Sequence, residues 1–120
     1  DYGTHDGTGV RDYIHVNDLA RAHVNAMNYI VEQDEDLVMN LGTGEGHSVF
    51  VVIKKIEEIS GKTVKFNVVN RRPGDSDKVL AISKMANSLI NWVPIHSDLD
   101  TLVHSTWKVY KKYILDEVQS

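Results

Sequence analysis

The residues with the most chemical potential lie in two glycine-containing stretches far apart in the chain. Arg11 follows Thr8-Gly9-Val10, and Arg72 opens Arg72-Pro73-Gly74-Asp75. A guanidinium presents a rigid fork that matches two oxygens of a phosphate, and a neighbouring glycine lets backbone approach the same ligand. Asp75 could accept hydrogen bonds from a sugar diol, which an arginine cannot do. Local composition alone favours two exposed charges beside polar turns and leaves the anion site as the alternative. A third glycine stretch, Gly42-Thr43-Gly44-Glu45-Gly46, invites a dinucleotide-binding reading, because such turns can offer backbone N–H groups to a pyrophosphate. Its spacing is G-x-G-x-G rather than G-x-G-x-x-G. The following apolar run ends in Asn70 where a ribose-binding carboxylate would be wanted, so the turn reads as structural.

Other chemistries find little support. No H-E-x-x-H occurs among the histidines, and no two-histidine-plus-carboxylate spacing, so no metal site is expected. No G-x-S-x-G elbow is present, and His47-Ser48 and His104-Ser105 are sequence neighbours rather than a triad. The absence of cysteine removes thiolate nucleophiles, disulfides and Cys-ligated zinc, and it is compatible with a reducing cytoplasm. A net charge of −4, from 17 acids against 13 Lys and Arg, argues against nucleic acid as a partner. No apolar run approaches the ~20 residues of a membrane-spanning helix, and Asp1–Val10 lacks the layout of a secretory signal. With 120 residues, 42% hydrophobic and 25% charged, the chain fits one soluble domain over 1–120.

The elements that must position these residues alternate between strand and helix patterns, an α/β arrangement. Residues 1–11 read as loop, Asp12–Val16 as a short strand, and Asn17 as the cap of an amphipathic helix whose apolar face is Leu19, Ala22, His23, Ala26, Met27 and Ile30. Leu37–Leu41 reads as a buried strand and Ser48 as the cap of a helix that Gly61 terminates. Val64–Val69 alternates with period two, a half-buried strand, and Pro73-Gly74 makes a turn. A weak strand near Lys78–Ile82 leads to Ser83, capping a short helix to about Ile90. A final helix over Asp98–Ile114 carries Leu99, Leu102, Val103, Trp107, Tyr110 and Ile114 on one face, and the tail 116–120 is expected to fray. Trp92 and Trp107 are expected to anchor core packing.

Thr8-Gly9-Val10-Arg11-Asp12-Tyr13-Ile14-His15-Val16-Asn17-Asp18-Leu19-Ala20 resembles the UDP-glucose 4-epimerase branch of the extended short-chain dehydrogenase/reductase family. The likeness continues in order through Ala22-His23, Asn40-Leu41-Gly42-Thr43-Gly44, Ser48-Val49, Arg72-Pro73-Gly74-Asp75, Ser83-Lys84 and Asn91-Trp92 with Pro94. It implies the C-terminal nucleotide-sugar-binding lobe of such an enzyme, short strands packed with about four helices, without the N-terminal Rossmann domain. On that correspondence Arg11 and Arg72 would hold the pyrophosphate of UDP, and Asp75 the uridine ribose. Arg72, Pro73, Gly74 and Asp75 would form one wall of the pocket, with Tyr13 and Val10 as further lining.

The resemblance also implies NAD as cofactor, held by the N-terminal domain and taking a hydride from C4 of the hexose, and a homodimeric, cytoplasmic enzyme of galactose metabolism. No catalytic residue and no cofactor contact is expected on this chain. Tyr2, Tyr13, Tyr29, Tyr110 and Tyr113 are followed four residues later by Asp6, Asn17, Gln33, Ile114 and Glu117, so none forms the family's Tyr-x-x-x-Lys pair. The chain alone is therefore expected to be inactive.

Three departures stand out against the family pattern. Gly3 and His5 stand where prolines are frequent, Ile82 where an Asp commonly precedes Ser-Lys, and Val79 where strict glucose/galactose enzymes often carry Tyr. The small Val79 implies room for UDP-N-acetylhexosamines beside UDP-glucose and UDP-galactose. The rivals are the substrate lobe of a related nucleotide-sugar decarboxylase or dehydratase, and a non-catalytic nucleotide-binding or interaction domain.

Overall fold

Three two-residue strands form the only hydrogen-bonded sheet among the described residues, and Arg11 sits on the central one. The computed structural model describes residues 1–119, with side chains described through Ile114. In chain order the elements are β1 (Val10–Arg11), α1 (Val16–Gln33), β2 (His47–Ser48), α2 (Val49–Ser60), β3 (Lys78–Val79), α3 (Lys84–Ile90) and α4 (Leu99–Gln119). The sheet order is β2-β1-β3. β1 pairs antiparallel with β2 (Arg11 opposite His47) and parallel with β3 (Arg11 opposite Val79).

Helix ends follow local chemistry, with two corrections. His15, not Asn17, is the N-cap of α1: its ring Nδ1 accepts from the Asn17 N–H at 3.0 Å. Of the residues expected to form a strand over Asp12–Val16, the first four join no strand and lead into the helix, and Val16 opens it. Ser48 does cap α2, accepting from the Val51 N–H at 3.2 Å, and Gly61 closes that helix in the left-handed region at φ 70°. Ser83 precedes α3 but makes no cap. Its hydroxyl donates to the Gly42 carbonyl at 2.6 Å and accepts from the Gly42 N–H at 2.7 Å, so it joins two loops instead. The last helix continues through Gln119, past the expected fraying point, and Ser120 lies outside the described residues.

The core lies between α1 and α3. Ala22, Ala86, Ile90 and a fully buried Trp92 form its centre, with Ile14, Ala26, Tyr29, Leu37, Met39 and Leu41 packed against them. Polar anchoring sets the rotation of α1. Asp18 is fully buried, and its carboxylate accepts from the Ile95 and His96 N–H groups and the Ser97 hydroxyl, while its carbonyl accepts from the Trp92 indole at 2.8 Å. With Asp18 and Ala22 turned inward, His23, Met27 and Ile30 of the expected apolar face lie exposed. Trp107 is only partly buried; it lines a groove between α2 and α4 rather than a core.

Two expected strands are absent from the described residues. Leu37–Leu41 keeps the alternation of an extended segment, with Leu37, Met39 and Leu41 toward the core and Val38 outward, but no strand runs beside it. In Val64–Val69 the alternation does not bury one face: Phe66 meets Phe50, but Val68 and Val69 are both 78% exposed. A ladder needs a neighbour to satisfy its N–H and C=O groups, and periodicity alone cannot supply one.

The surface is large for the mass. The accessible area is 8875 Å², against ~6500 Å² for a self-contained fold of this size. The radius of gyration is 17.6 Å, against ~14 Å for a typical domain of this length. Large apolar side chains on α1, on 64–69 and on α4 are among those left exposed.

Candidate functional site

The opening loop, β1 and the turn at 70–77 meet at one end of the sheet. Arg72, Pro73, Gly74 and Asp75 form a tight turn closed by the Asp75 N–H donating to the Arg72 carbonyl at 3.2 Å. Pro73 supplies the fixed φ of the first turn position and Gly74, at φ 80°, the left-handed second. The turn aims the Asp75 carboxylate back at β1. There Arg11 Nη2 donates to Asp75 Oδ1 at 2.9 Å, while Arg72 Nη2 lies 3.5 Å from Oδ2. Arg11 is held further by its Nη1 on the Val10 carbonyl at 2.8 Å, whereas the Arg72 side chain is 86% exposed.

Tyr2 and Arg71 join this group. The Tyr2 hydroxyl donates to Asp75 Oδ2 at 2.6 Å, and the Arg71 guanidinium lies over the Tyr2 ring, 4.7 Å from its centroid. Arg71 also donates through Nε to the Asp75 carbonyl at 3.1 Å and pairs with Asp77 at 2.8 Å. The Tyr2 hydrogen bond is the main cause holding the Asp75 carboxyl below its usual value, against the pull of burial and with the help of Arg72 and Arg11. The same bond is the main cause raising the Tyr2 phenol. Sequence reasoning missed both residues. Arg71 was visible as a second cation beside Arg72, but nothing in the sequence links Tyr2 to a turn near position 75.

These groups rim a cleft of about 640 Å³ whose other wall is apolar: Val49, Phe50 and Ile53 of α2 with Phe66 and Val68. Phe50 and Phe66 meet edge to face with ring centroids 5.6 Å apart. Cations and a carboxylate on one side with aromatic surface on the other suit a ligand that has an anionic part, a diol and a flat ring. The opening loop is pinned above by Asp6, which accepts from the Ser48 and Thr8 hydroxyls. Those bonds, Ser48 first, bring its pKa down to about 2.

Of the residues singled out from sequence, the structure brings Arg11, Arg72 and Asp75 together and puts Pro73 and Gly74 in the turn that aims Asp75. Tyr13 and Val79 lie elsewhere. Tyr13 lines a separate apolar groove of about 400 Å³ with Val52, Ile56, Leu99, Val103 and Trp107. Val79 stands opposite Arg11 in the sheet, 48% exposed, and does not line the arginine cleft. Val10 is buried beneath it.

The glycine turn at 42–46 is an anion nest already filled by this chain. Asp12 Oδ1 accepts from the Thr43 N–H at 3.0 Å and the Thr43 hydroxyl at 2.7 Å; Oδ2 accepts from the Gly44 N–H at 2.9 Å and the Ala81 N–H at 3.2 Å. Burial pushes the Asp12 carboxyl up, but these hydrogen bonds together outweigh it and leave the pKa lowered. With its N–H groups spent on Asp12, the turn does not fit a dinucleotide, and no cofactor step is derived through it. Among the described residues no group of His, Cys, Asp or Glu could hold a metal ion, and no helix is long and apolar enough to cross a membrane.

Residues 2–42 match the model of the NAD dependent epimerase/dehydratase family, and curated UDP-glucose 4-epimerases resemble the chain over most of its length. The enzyme of Rhizobium leguminosarum bv. trifolii is 42% identical over 112 residues, 93% of this chain and 34% of the relative. The crystal structure of the Stenotrophomonas maltophila UDP-glucose 4-epimerase, with bound NAD and formylated UDP-arabinopyranose, superposes with a TM-score of 0.89 at 43% identity, covering 97% of this chain and 34% of that one. The UDP-Glc/GlcNAc 4-epimerase of Campylobacter jejuni aligns with a TM-score of 0.80 at 36% identity over 93% of this chain and 34% of that one. The chain thus spans about a third of the length of the relatives it matches.

Proposed function

We propose that this chain is the C-terminal UDP-sugar-binding lobe of an NAD-dependent UDP-glucose/UDP-galactose 4-epimerase. The observation that carries the reading is the convergence of Arg11 and Arg72, distant in sequence, on one carboxylate at the mouth of a half-aromatic cleft. In this reading the two guanidiniums face the diphosphate of UDP, Asp75 takes the ribose hydroxyls, and the Phe50–Phe66 wall lies against the uracil ring. Grip on the nucleotide leaves the hexose free to turn between the two hydride transfers of an epimerisation. Binding at this remote part is thereby spent on positioning the reacting carbon.

The surface excess supports the view that a second lobe covers the exposed faces in the whole enzyme. NAD and the proton-transferring residues are assigned to that second lobe, since this chain offers neither a free glycine nest nor a Tyr-x-x-x-Lys pair. The isolated chain is accordingly inactive. A UDP-N-acetylhexosamine specificity is proposed from the small Val79 beside Arg11 in the sheet, and a homodimer is proposed for the whole enzyme.

Titration calorimetry of the full-length protein with UDP, UMP and uridine tests the reading. Micromolar UDP binding that weakens at least tenfold in Arg11→Met, and at least tenfold from UDP to uridine, supports it. Equal affinity for all three ligands, or UDP binding unchanged in Arg11→Met, would remove the basis for a diphosphate site.

A further inference from the structure

Asp75 is crowded for a residue that must receive a diol. A carboxylate offers about four lone-pair sites. Arg11 occupies one on Oδ1, and Tyr2 and Arg72 both approach Oδ2. A ribose diol needs two acceptor positions, so one of the three partners has to leave. The geometry says which. Arg11 is fixed by a second bond to the Val10 carbonyl and is 30% exposed, and Tyr2 is pinned under Arg71 with a 2.6 Å bond. Arg72, 86% exposed, sits 3.5 Å from its oxygen, beyond good hydrogen-bond range, and among the described residues its side chain has no other ion-pair or hydrogen-bond partner.

Resting on the reading of this cleft as a UDP site, we infer that Tyr2 is a positioning residue for the ribose-binding carboxylate, and that Arg72 is the arginine that leaves Asp75 for the diphosphate. Tyr2 and Arg11 then hold the two carboxylate oxygens from behind, one bond each, and the two remaining acceptor positions face the diol. Arg71 acts through Tyr2: its guanidinium on the ring and its Nε on the Asp75 carbonyl fix both ends of the Tyr2–Asp75 hydrogen bond. Without the phenol hydroxyl the carboxylate loses its fixed orientation. Arg72 then has an emptier Oδ2 to approach, which competes with the diol.

The test compares UDP with 2′,3′-dideoxy-UDP by calorimetry on the full-length protein. The wild type is expected to prefer UDP by ~100-fold, two hydrogen bonds to a charged acceptor. Tyr2→Phe keeps the ring beneath Arg71 and is expected to cut that preference to ~10-fold or less, with dideoxy-UDP affinity unchanged within a factor of ~2. In turnover, KM for the UDP-sugar rises in Tyr2→Phe while kcat stays within a factor of ~2, because the change is remote from the reacting carbon. An unchanged UDP-to-dideoxy preference, or parallel weakening of both ligands, overturns the positioning role. A wild type that binds neither ligand, or both equally, defeats the UDP reading itself. Should Tyr2→Phe fail to fold by circular dichroism, the same ratio is read on Arg71→Lys, which keeps the charge but loses the fork on the Asp75 carbonyl; a retained preference there overturns the inference.

Discussion

Replacing Asp12 by Asn changes almost no volume and isolates the hydrogen bonding of the filled nest. Whichever way the amide turns, one oxygen becomes an NH2 group facing backbone N–H donors. With the amide oxygen in the Oδ2 place, the Thr43, Gly44 and Ala81 N–H groups keep an acceptor without its charge and the Thr43 hydroxyl loses its own; with it in the Oδ1 place, the Gly44 and Ala81 N–H groups lose theirs. In the first, cheaper orientation, one lost charge-assisted bond at ~1.5 kcal/mol and the lost charge on three others at ~0.5 kcal/mol each give a cost of ~3 kcal/mol. Amide hydrogen exchange by NMR at neutral pH reads this locally. Exchange at Thr43, Gly44 and Ala81 is expected to speed up by ~100-fold in Asp12→Asn, while the interior of α2 changes little. The pH dependence gives a second reading with a definite sign. The carboxyl is depressed in the fold, so its contribution is complete above the ordinary carboxylate value and is lost as pH falls through the lowered one. Wild type and variant should therefore converge in acid. If the three amides exchange within a factor of ~3 of wild type, the turn is held by something other than Asp12 and the account of the glycine motif is wrong.

The first and middle glycines of that turn should fail for different reasons. Gly42→Ala puts a Cβ 2.5 Å from the Ala81 Cβ and 2.8 Å from the Asp12 carboxylate, so a loss of ~3 kcal/mol in denaturant unfolding is expected. Gly44→Ala meets nothing within 4 Å and only strains a φ of +76°, with ~1 kcal/mol expected. Trp92→Phe removes the buried indole bond to the Asp18 carbonyl and leaves a small void, for a loss of ~3 kcal/mol in the same assay. Asp6, lowered from 3.8 to about 2 by Ser48 and Thr8, contributes stability that is complete above the higher value and disappears as pH falls through the lower. Ser48→Ala should move that acid transition upward, measured as the unfolding midpoint between pH 2 and 5, and cost ~1 kcal/mol at neutral pH through the lost α2 cap.

Local chemistry, readable from the sequence alone, determines some features of this protein outright. The Ser48 and Gly61 ends of α2 and the Pro73-Gly74 turn follow from residues within a few positions of one another, where sterics and short hydrogen bonds act without help from the rest of the chain. What the sequence left open was every choice made between distant segments. The strand pattern of Val64–Val69 was legible, but a strand exists only with a neighbour to bond, and none adjoins it among the described residues. The inward face of α1 was decided by the Asp18 carboxylate reaching the 95–97 loop, a contact that outweighed the apolar periodicity. Tyr13 and Arg11 are two residues apart yet serve different clefts, and Tyr2 meets Asp75 across most of the chain, because the sheet and its loops set those distances in three dimensions. Residue types could nominate a pair of arginines and a carboxylate; only folding, by closing long loops against their entropy, could bring them within bonding distance.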